Sequence, residues 1–118
     1  MMVQKGIFSV LLSALFFGCN SGESASKKVK LTAGEFSKKI ETIENPQIID
    51  VRTPEEYNSG HIERAENIDW NDQKFSTNIA KLDHSEPVFI YCLSGGRSAA
   101  AAEEFIKNGF GEVYELSG

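Results

Sequence analysis

Apolar residues recur at helical spacing in three segments of the chain. The first begins at Thr32, where TAGE can form a capping box with Glu35, and apolar positions at helical spacing then continue to Ile43. We expect this amphipathic helix to end near Glu44, because an asparagine and a proline follow it.

A second, shorter helix is predicted by TPEEY, in which Thr53 can cap and Pro54 suits the first helical position. Glu56 completes another capping box, and Gly60 closes the helix. A third helix is predicted over residues 72–80, with its aromatic and aliphatic side chains facing inward.

Between the helices lie short apolar runs that suit buried strands. Residues 47–51 (QIIDV) and 88–92 (VFIYC) are nearly continuous in apolar character, and residues 112–116 (EVYEL) predict another strand, with Asn67 and Ile68 a weaker fourth. Strands that alternate with helices indicate an α/β domain with a mainly parallel central sheet and helices on both faces.

Residues with reactive or charged side chains follow two of these strands. Ligands of open parallel sheets bind beyond the carboxyl ends of the strands, and Asp50, Arg52 and Cys92 all lie at such ends. We therefore expect them to converge on one site. Asp50 and Arg52 either position the loop after Cys92 or form an ion pair that stabilises the strand end.

The segment after Cys92 has the composition of an anion-binding loop. Two adjacent glycines allow a tight turn that points backbone N–H groups inward, and a helix predicted over residues 99–107 adds the positive end of its dipole. Such surroundings lower the pKa of a cysteine thiol, and the Arg97 guanidinium suits oxyanions of sulfur or phosphorus. The candidate site consists of the nucleophile Cys92 and the substrate-binding residues Leu93, Ser94, Gly95, Gly96, Arg97 and Ser98.

DVRTPEEYNSGHIERAENI together with VFIYCLSGGRSAAAAEEFIKNGFGEVYELSG resembles the rhodanese (sulfurtransferase) domain over residues 31–118. The resemblance implies a three-layer α/β fold in which Cys92 takes a sulfane sulfur from a donor, holds it as a persulfide and passes it to a thiophilic acceptor. Thiosulfate and cyanide are the family's usual test pair. The resemblance also implies that the loop cradles the sulfur and that Arg97 helps to hold an anionic donor. We expect no cofactor.

The chain departs from the family pattern in two places. Glu63 and Arg64 stand where many members have Pro-Gly after GHI, which changes a surface turn. Members also continue past the final LSG into a helix that contains tryptophan, so we expect the domain of residues 31–118 to be incomplete at its C-terminus.

Two other functions compete with sulfur transfer. A cysteine phosphatase needs five residues between the nucleophile and the arginine, whereas four residues, LSGG, separate Cys92 from Arg97. A rhodanese-like module without turnover could instead bind partners or sense redox state. The presence of Cys92 favours an active domain over that module.

The first eighteen residues predict a secretory signal peptide. A short basic start, Met1 to Lys5, precedes an uncharged apolar run that ends at Gly18 and is too short for an ordinary membrane-spanning helix. LFFGC resembles the lipobox of bacterial lipoproteins, which implies lipid on Cys19. We expect residues 19–30 to form the lipidated cysteine and a flexible tether, and the domain to face the periplasm from a membrane.

Charge and ligand spacing limit the remaining partners. Loss of Lys5 with the leader takes the formal net charge from −5 to −6, which disfavours nucleic acid. His61 and His84 lack further ligands at metal-binding spacing, so no metal site is expected. With Cys19 assigned to lipid, Cys92 has no disulfide partner within the chain, and we expect a monomer whose partners are a small sulfur-containing anion or persulfide donor and a thiol acceptor.

Overall fold

A computed structural model describes residues 26–117, which form five strands and four helices. The strands are β1 (Lys27–Leu31), β2 (Gln47–Asp50), β3 (Glu66–Asn67), β4 (Val88–Tyr91) and β5 (Glu112–Leu116). The helices are α1 (Ala33–Glu41), α2 (Pro54–Asn58), α3 (Phe75–Ile79) and α4 (Gly96–Lys107). The predicted signal peptide and Cys19 lie outside the described residues.

The strands form one sheet in the order β1-β5-β4-β2-β3, and all the described strand pairs are parallel. Side chains of α3 and α4 pack in a cluster on one face of the sheet, and those of α1 pack in a second cluster on the other face. The expected α/β architecture, a parallel sheet between helices, is therefore confirmed.

Both predicted capping boxes are present. The Thr32 hydroxyl accepts from the Glu35 N–H at the start of α1, and the Thr53 hydroxyl accepts from the Glu56 N–H at the start of α2. Each glutamate accepts in return from the backbone N–H of its threonine. The two sequence patterns thus set where these helices begin.

Two helices are shorter than the sequence predicts. Helix α1 ends at Glu41 rather than near Glu44, because the hydroxyl of Thr42 donates to the Lys39 carbonyl at 2.6 Å and closes the last turn. Helix α3 begins at Phe75 rather than Asp72, because the Asp72 carboxylate accepts from the Lys74 N–H and holds a turn there.

The predicted tether overlaps an ordered strand. Residues 27–30 belong to β1, which pairs in register with β5 along its whole length. Val29 and Leu31 pack against the cluster under α1, while Lys28 on the opposite face forms an ion pair with Glu103 of α4. The pattern of apolar and charged side chains is that of an edge strand, in which lysines are common.

Within residues 26–117, no helix has the length and apolar character needed to cross a membrane.

Candidate active site

The carboxyl ends of β2 and β4 lie side by side, as expected. Asp50 is in register with Tyr91, and the Val51 N–H donates to the Tyr91 carbonyl at 3.1 Å. Cys92 follows Tyr91 directly. The residues singled out at the two strand ends therefore lie on neighbouring segments of one edge of the sheet.

Asp50 and Arg52 form an ion pair that supports the strand end. The Asp50 carboxylate, which is fully buried, accepts from Nε and Nη2 of Arg52 at 2.9 and 2.7 Å. It also accepts from the Tyr91 hydroxyl at 2.8 Å. Burial, followed by the hydrogen bond to Asp50, raises the pKa of Tyr91 to about 12, so this hydroxyl stays a donor at neutral pH.

The same tyrosine hydroxyl accepts from the Ile62 N–H at 3.0 Å. The side chain of Tyr91, the residue immediately before Cys92, thus contacts both Asp50 of β2 and the segment after α2. Within the described chain, the side-chain hydrogen bonds of Asp50 and Arg52 go to each other, to Tyr91 and to the Gly60 carbonyl, so their connection to Cys92 runs through Tyr91.

Backbone N–H groups of the loop converge on the sulfur of Cys92. The Gly95 N–H lies 3.0 Å from Sγ and the Ser98 N–H 3.3 Å, and the Ser98 hydroxyl is 3.5 Å away. Burial of the thiol raises its pKa, but hydrogen bonds from the Ser98 side chain and from the N–H groups of Ser98, Gly95 and Ser94 outweigh burial. The pKa of Cys92 therefore lies below its ordinary value.

This geometry depends on a left-handed residue before α4. Gly95 has φ of +94°, a conformation that glycine adopts without steric cost, and its carbonyl accepts the first helical hydrogen bond, from Ala99. Helix α4 begins at Gly96, three residues before the predicted start, so Arg97 and Ser98 lie in its first turn. The N-terminus of α4 consequently points at the sulfur.

The predicted loop residues differ in exposure. Leu93, with 64% of its surface exposed, Ser94 and Gly96 face solvent at the mouth of the loop. Ser98, in contrast, is fully buried beneath the sulfur and contacts Sγ rather than the open side. The contact of Ser98 is therefore with Cys92.

Arg97 forms an ion pair with Glu56, which the sequence analysis assigned only to a helix cap. Its Nη1 and Nη2 donate to Oε1 and Oε2 of Glu56 at 2.8 and 3.1 Å. The hydrogen bond from Arg97 is the main cause that lowers the pKa of Glu56 to about 2. This pair joins the active loop to α2. Contact of Arg97 with a donor anion stays a prediction.

Glu115 is a second residue that sequence reasoning missed. It is 3% exposed on β5, and its Oε2 accepts from the Ser98 hydroxyl at 3.3 Å. The sequence could have indicated its burial, because side chains alternate between the two faces of a strand and Glu115 in EVYEL lies on the same face as the buried Val113. A carboxylate at a buried strand position is uncommon and indicates a specific partner.

No cluster of three or more potential metal ligands from histidine, cysteine, aspartate and glutamate occurs within residues 26–117.

Comparison with known proteins gives a consistent family match. Residues 32–118 match the family model described as Rhodanese-like domain. The "Uncharacterized protein YqhL" of Bacillus subtilis is 43% identical over 72 residues, which cover 61% of this chain and 56% of that protein. "Thiosulfate sulfurtransferase GlpE" of Pseudomonas paraeruginosa is 38% identical over 72 residues, or 61% of this chain and 64% of that protein.

Solved structures show the same fold. SSP1007 from Staphylococcus saprophyticus superimposes with a TM-score of 0.66 at 31% identity, over 75% of this chain and 86% of that one. The sequence alignments, in contrast, span less than two thirds of the two curated relatives' own length.

Proposed function

The chain belongs to the rhodanese-like domain family, and from that premise we propose that it is a sulfurtransferase that carries sulfane sulfur as a persulfide on Cys92. The observation that carries the proposal is the convergence of the Gly95 and Ser98 N–H groups on Sγ, at 3.0 and 3.3 Å. Fixed donors at these distances stabilise a thiolate, which is the nucleophilic form of cysteine.

The transfer has two steps. The Cys92 thiolate attacks the outer sulfur of a donor such as thiosulfate, the donor S–S bond breaks, and sulfite leaves with the bonding electron pair. A thiol or cyanide acceptor then attacks the outer sulfur of the persulfide, and Cys92 leaves as a thiolate. The N–H groups that stabilise the thiolate at the start also stabilise it as the leaving group.

The shape of the loop favours sulfur transfer over phosphate chemistry. Four residues separate Cys92 from Arg97, and the guanidinium is turned toward Glu56 at the side of the loop. A phosphatase requires its arginine and loop N–H groups to surround a tetrahedral phosphate together. Here the N–H groups of Gly95 and Ser98 are directed at the sulfur itself.

Mass spectrometry of the folded protein tests this function. Treatment with thiosulfate should add one sulfur atom to the peptide that contains Cys92, and cyanide should remove it. The Cys92→Ser variant should gain no sulfur, and retained transfer in that variant would overturn the mechanism. Folded wild-type protein that takes up no sulfur would favour a binding or redox-sensing module, and hydrolysis of an aryl phosphate would favour a phosphatase.

We further propose that the domain belongs to an exported lipoprotein. The proposal is supported by the basic and apolar pattern of residues 1–18 and by LFFGC before the polar segment. It places sulfur transfer in the cell envelope, facing the periplasm, with a small sulfur-containing anion or persulfide as donor, a thiol as acceptor, and a monomeric domain.

A further inference from the structure

Two arginines near Cys92 each form an ion pair with a carboxylate. Arg97 donates from Nη1 and Nη2 to the two carboxylate oxygens of Glu56 at 2.8 and 3.1 Å. Arg52 donates from Nη2 to the buried carboxylate of Asp50 at 2.7 Å. Each pair is electrically neutral. Thiosulfate carries two negative charges, so its binding depends on how far each guanidinium is compensated.

The Glu56 carboxylate is held in place by its own helix as well as by Arg97. Its Oε1 accepts from the N–H and from the hydroxyl of Thr53, both at 3.0 Å, in the capping box of α2. Arg97 must therefore give up two charge-assisted hydrogen bonds before its guanidinium can turn toward another anion. The side chains of Arg97 and Glu56 are 26% and 29% exposed, so water and salt screen their charges less than at an open surface.

Arg97 is close enough to Cys92 for its charge to act at the sulfur. It directly precedes Ser98, whose N–H lies 3.3 Å from Sγ, in the first turn of α4. The hydrogen bond to Glu56 is the main cause that raises the pKa of Arg97, and the negative charge of Cys92 raises it further. A charge that acts on the thiolate also acts on an anion that approaches the thiolate, and Glu56 offsets that charge.

We propose that Glu56 is a positioning residue that sets donor specificity: by compensating the charge of Arg97, it disfavours the thiosulfate dianion relative to donors that carry a single negative charge. The favoured class comprises organic thiosulfonates and persulfides, whose reacting end carries one charge. The proposal rests on the proposed function, in which Cys92 takes sulfur from a donor. With a thiosulfonate, the thiolate attacks the outer sulfur, the donor S–S bond breaks, and a sulfinate leaves with the electron pair.

Two donors of the same chemistry test this charge effect. In methanethiosulfonate a methyl group replaces one charged oxygen of thiosulfate, so the two donors differ by one charge. Each is mixed at low concentration with the folded full chain, and sulfur on the peptide that contains Cys92 is followed against time by mass spectrometry. Glutamine at position 56 retains the cap, since it can still accept from the Thr53 N–H.

The expected result follows from the proportionality between electrostatic energy and the charge of the donor. Glu56→Gln leaves the Arg97 guanidinium uncompensated, which attracts a dianion twice as strongly as a monoanion. Loading should therefore become roughly threefold faster from methanethiosulfonate and roughly tenfold faster, about the square, from thiosulfate. The ratio of the thiosulfate rate to the methanethiosulfonate rate should thus rise by roughly threefold.

A second measurement needs no sulfur donor. Iodoacetate and iodoacetamide both alkylate a thiolate by displacing iodide, but iodoacetate carries one more negative charge. The ratio of their rates at Cys92 is independent of how much of the thiol is ionised, because both reagents react with the same thiolate. Glu56→Gln should raise the ratio of iodoacetate to iodoacetamide alkylation roughly threefold. An unchanged ratio would show that Glu56 does not control the charge at the sulfur and would overturn the proposal.

Restoring the charge balance separates this effect from a structural one. Arg97→Gln leaves the Glu56 carboxylate uncompensated and should lower both ratios roughly threefold. Combining Arg97→Gln with Glu56→Gln makes this position neutral again and should return both ratios to within about twofold of wild type. Ratios in the double variant that stay as low as in Arg97→Gln would mean that Arg97 binds the donor directly, and would overturn the proposal.

Glu55→Gln is the matched control, because Glu55 is an exposed carboxylate in the same first turn of α2. It should leave both ratios close to the wild-type values, and a change equal to that of Glu56→Gln would contradict the pairing with Arg97 as the cause. Loading of Cys92 by both donors, with the same relative rates in wild-type protein and Glu56→Gln, would overturn this proposal alone. Failure of both donors to load folded wild-type protein would overturn the proposed function and this proposal together.

Discussion

At the scale of single residues, the pKa of Cys92 is lowered by neighbouring groups, and only some of these could be predicted from the sequence. The glycines after Cys92 predict that N–H groups surround the sulfur, and the N–H of Gly95 does so at 3.0 Å. Ser98 was expected to bind substrate, whereas it is buried and contacts Sγ. Only the turn of α4 that places Ser98 beneath the sulfur reveals this contact.

The pair of Arg97 and Glu56 makes a prediction about stability against pH. The pKa of Glu56 is lowered from 4.5 to about 2, mainly by the hydrogen bond from Arg97. A lowered carboxylate pKa contributes stability that is fully present above the unfolded value and is lost as pH falls through the folded value. Glu56→Gln should therefore lower the melting temperature at pH 7, and this difference should shrink as the pH falls from 4.5 toward 2.

Glu55→Gln is the matched control for this measurement. Glu55 is the neighbouring residue of α2, is exposed, and also lies in the first turn of the helix. It should show a smaller loss at pH 7. A pH-independent difference between wild-type protein and Glu56→Gln would contradict the ion pair as its source, because glutamine can still accept from the Thr53 N–H but carries no charge to pair with Arg97.

At the scale of elements, the junction between the loop and α4 can be tested with two adjacent glycines. Gly95 has φ of +94°, whereas an added Cβ at Gly96 would meet nothing within 4 Å. Gly95→Ala should cost about 1–2 kcal/mol, the penalty of a left-handed conformation for a residue with a side chain. Gly96→Ala should be neutral or stabilise by up to about 1 kcal/mol, because alanine favours a helix.

Denaturant unfolding measures both free energies, and Cys92 alkylation reports on the loop. Gly95→Ala should also slow alkylation at neutral pH, because a shift of residue 95 moves its N–H away from Sγ. Gly96→Ala serves as the control and should retain the wild-type rate. Equal losses of stability in the two variants would show that the left-handed conformation of Gly95 does not set the loop geometry.

The starts of helices were predicted correctly where a short sequence motif encodes them. Thr32 and Thr53 each cap a helix at the predicted position because the capping box is encoded within four residues. The predicted start of α4 was too late because glycine has a low helix propensity, whereas Gly96 is helical in the structure. Contacts between distant residues, such as that of Ser98 with Glu115, have no local signal.

At the scale of the whole molecule, the central sheet was predictable and its edge was not. Strands β2, β4 and β5 each contain a run of at least three buried residues, most of them apolar, so their composition predicts strands covered on both faces. Strand β1 contains three lysines and was read as part of a tether. Its structure comes from pairing with β5 and from the ion pair between Lys28 and Glu103, which join residues far apart in sequence.

The proposed export and the proposed sulfur transfer concern different cysteines of the full chain and can be tested in one measurement. Because the lipobox-like LFFGC precedes the first described residue by only a short polar segment, lipid on Cys19 would hold the domain close to a membrane surface. The mass of the protein from bacterial membranes should show cleavage before Cys19 and a lipid on it. Thiosulfate should then add one sulfur atom.

Cys19→Ser should lose the lipid but still gain sulfur, and Cys92→Ser should keep the lipid but gain none. An uncleaved N-terminus would contradict the lipoprotein and leave the sulfur chemistry standing, whereas lipidated protein that gains no sulfur would contradict the chemistry alone.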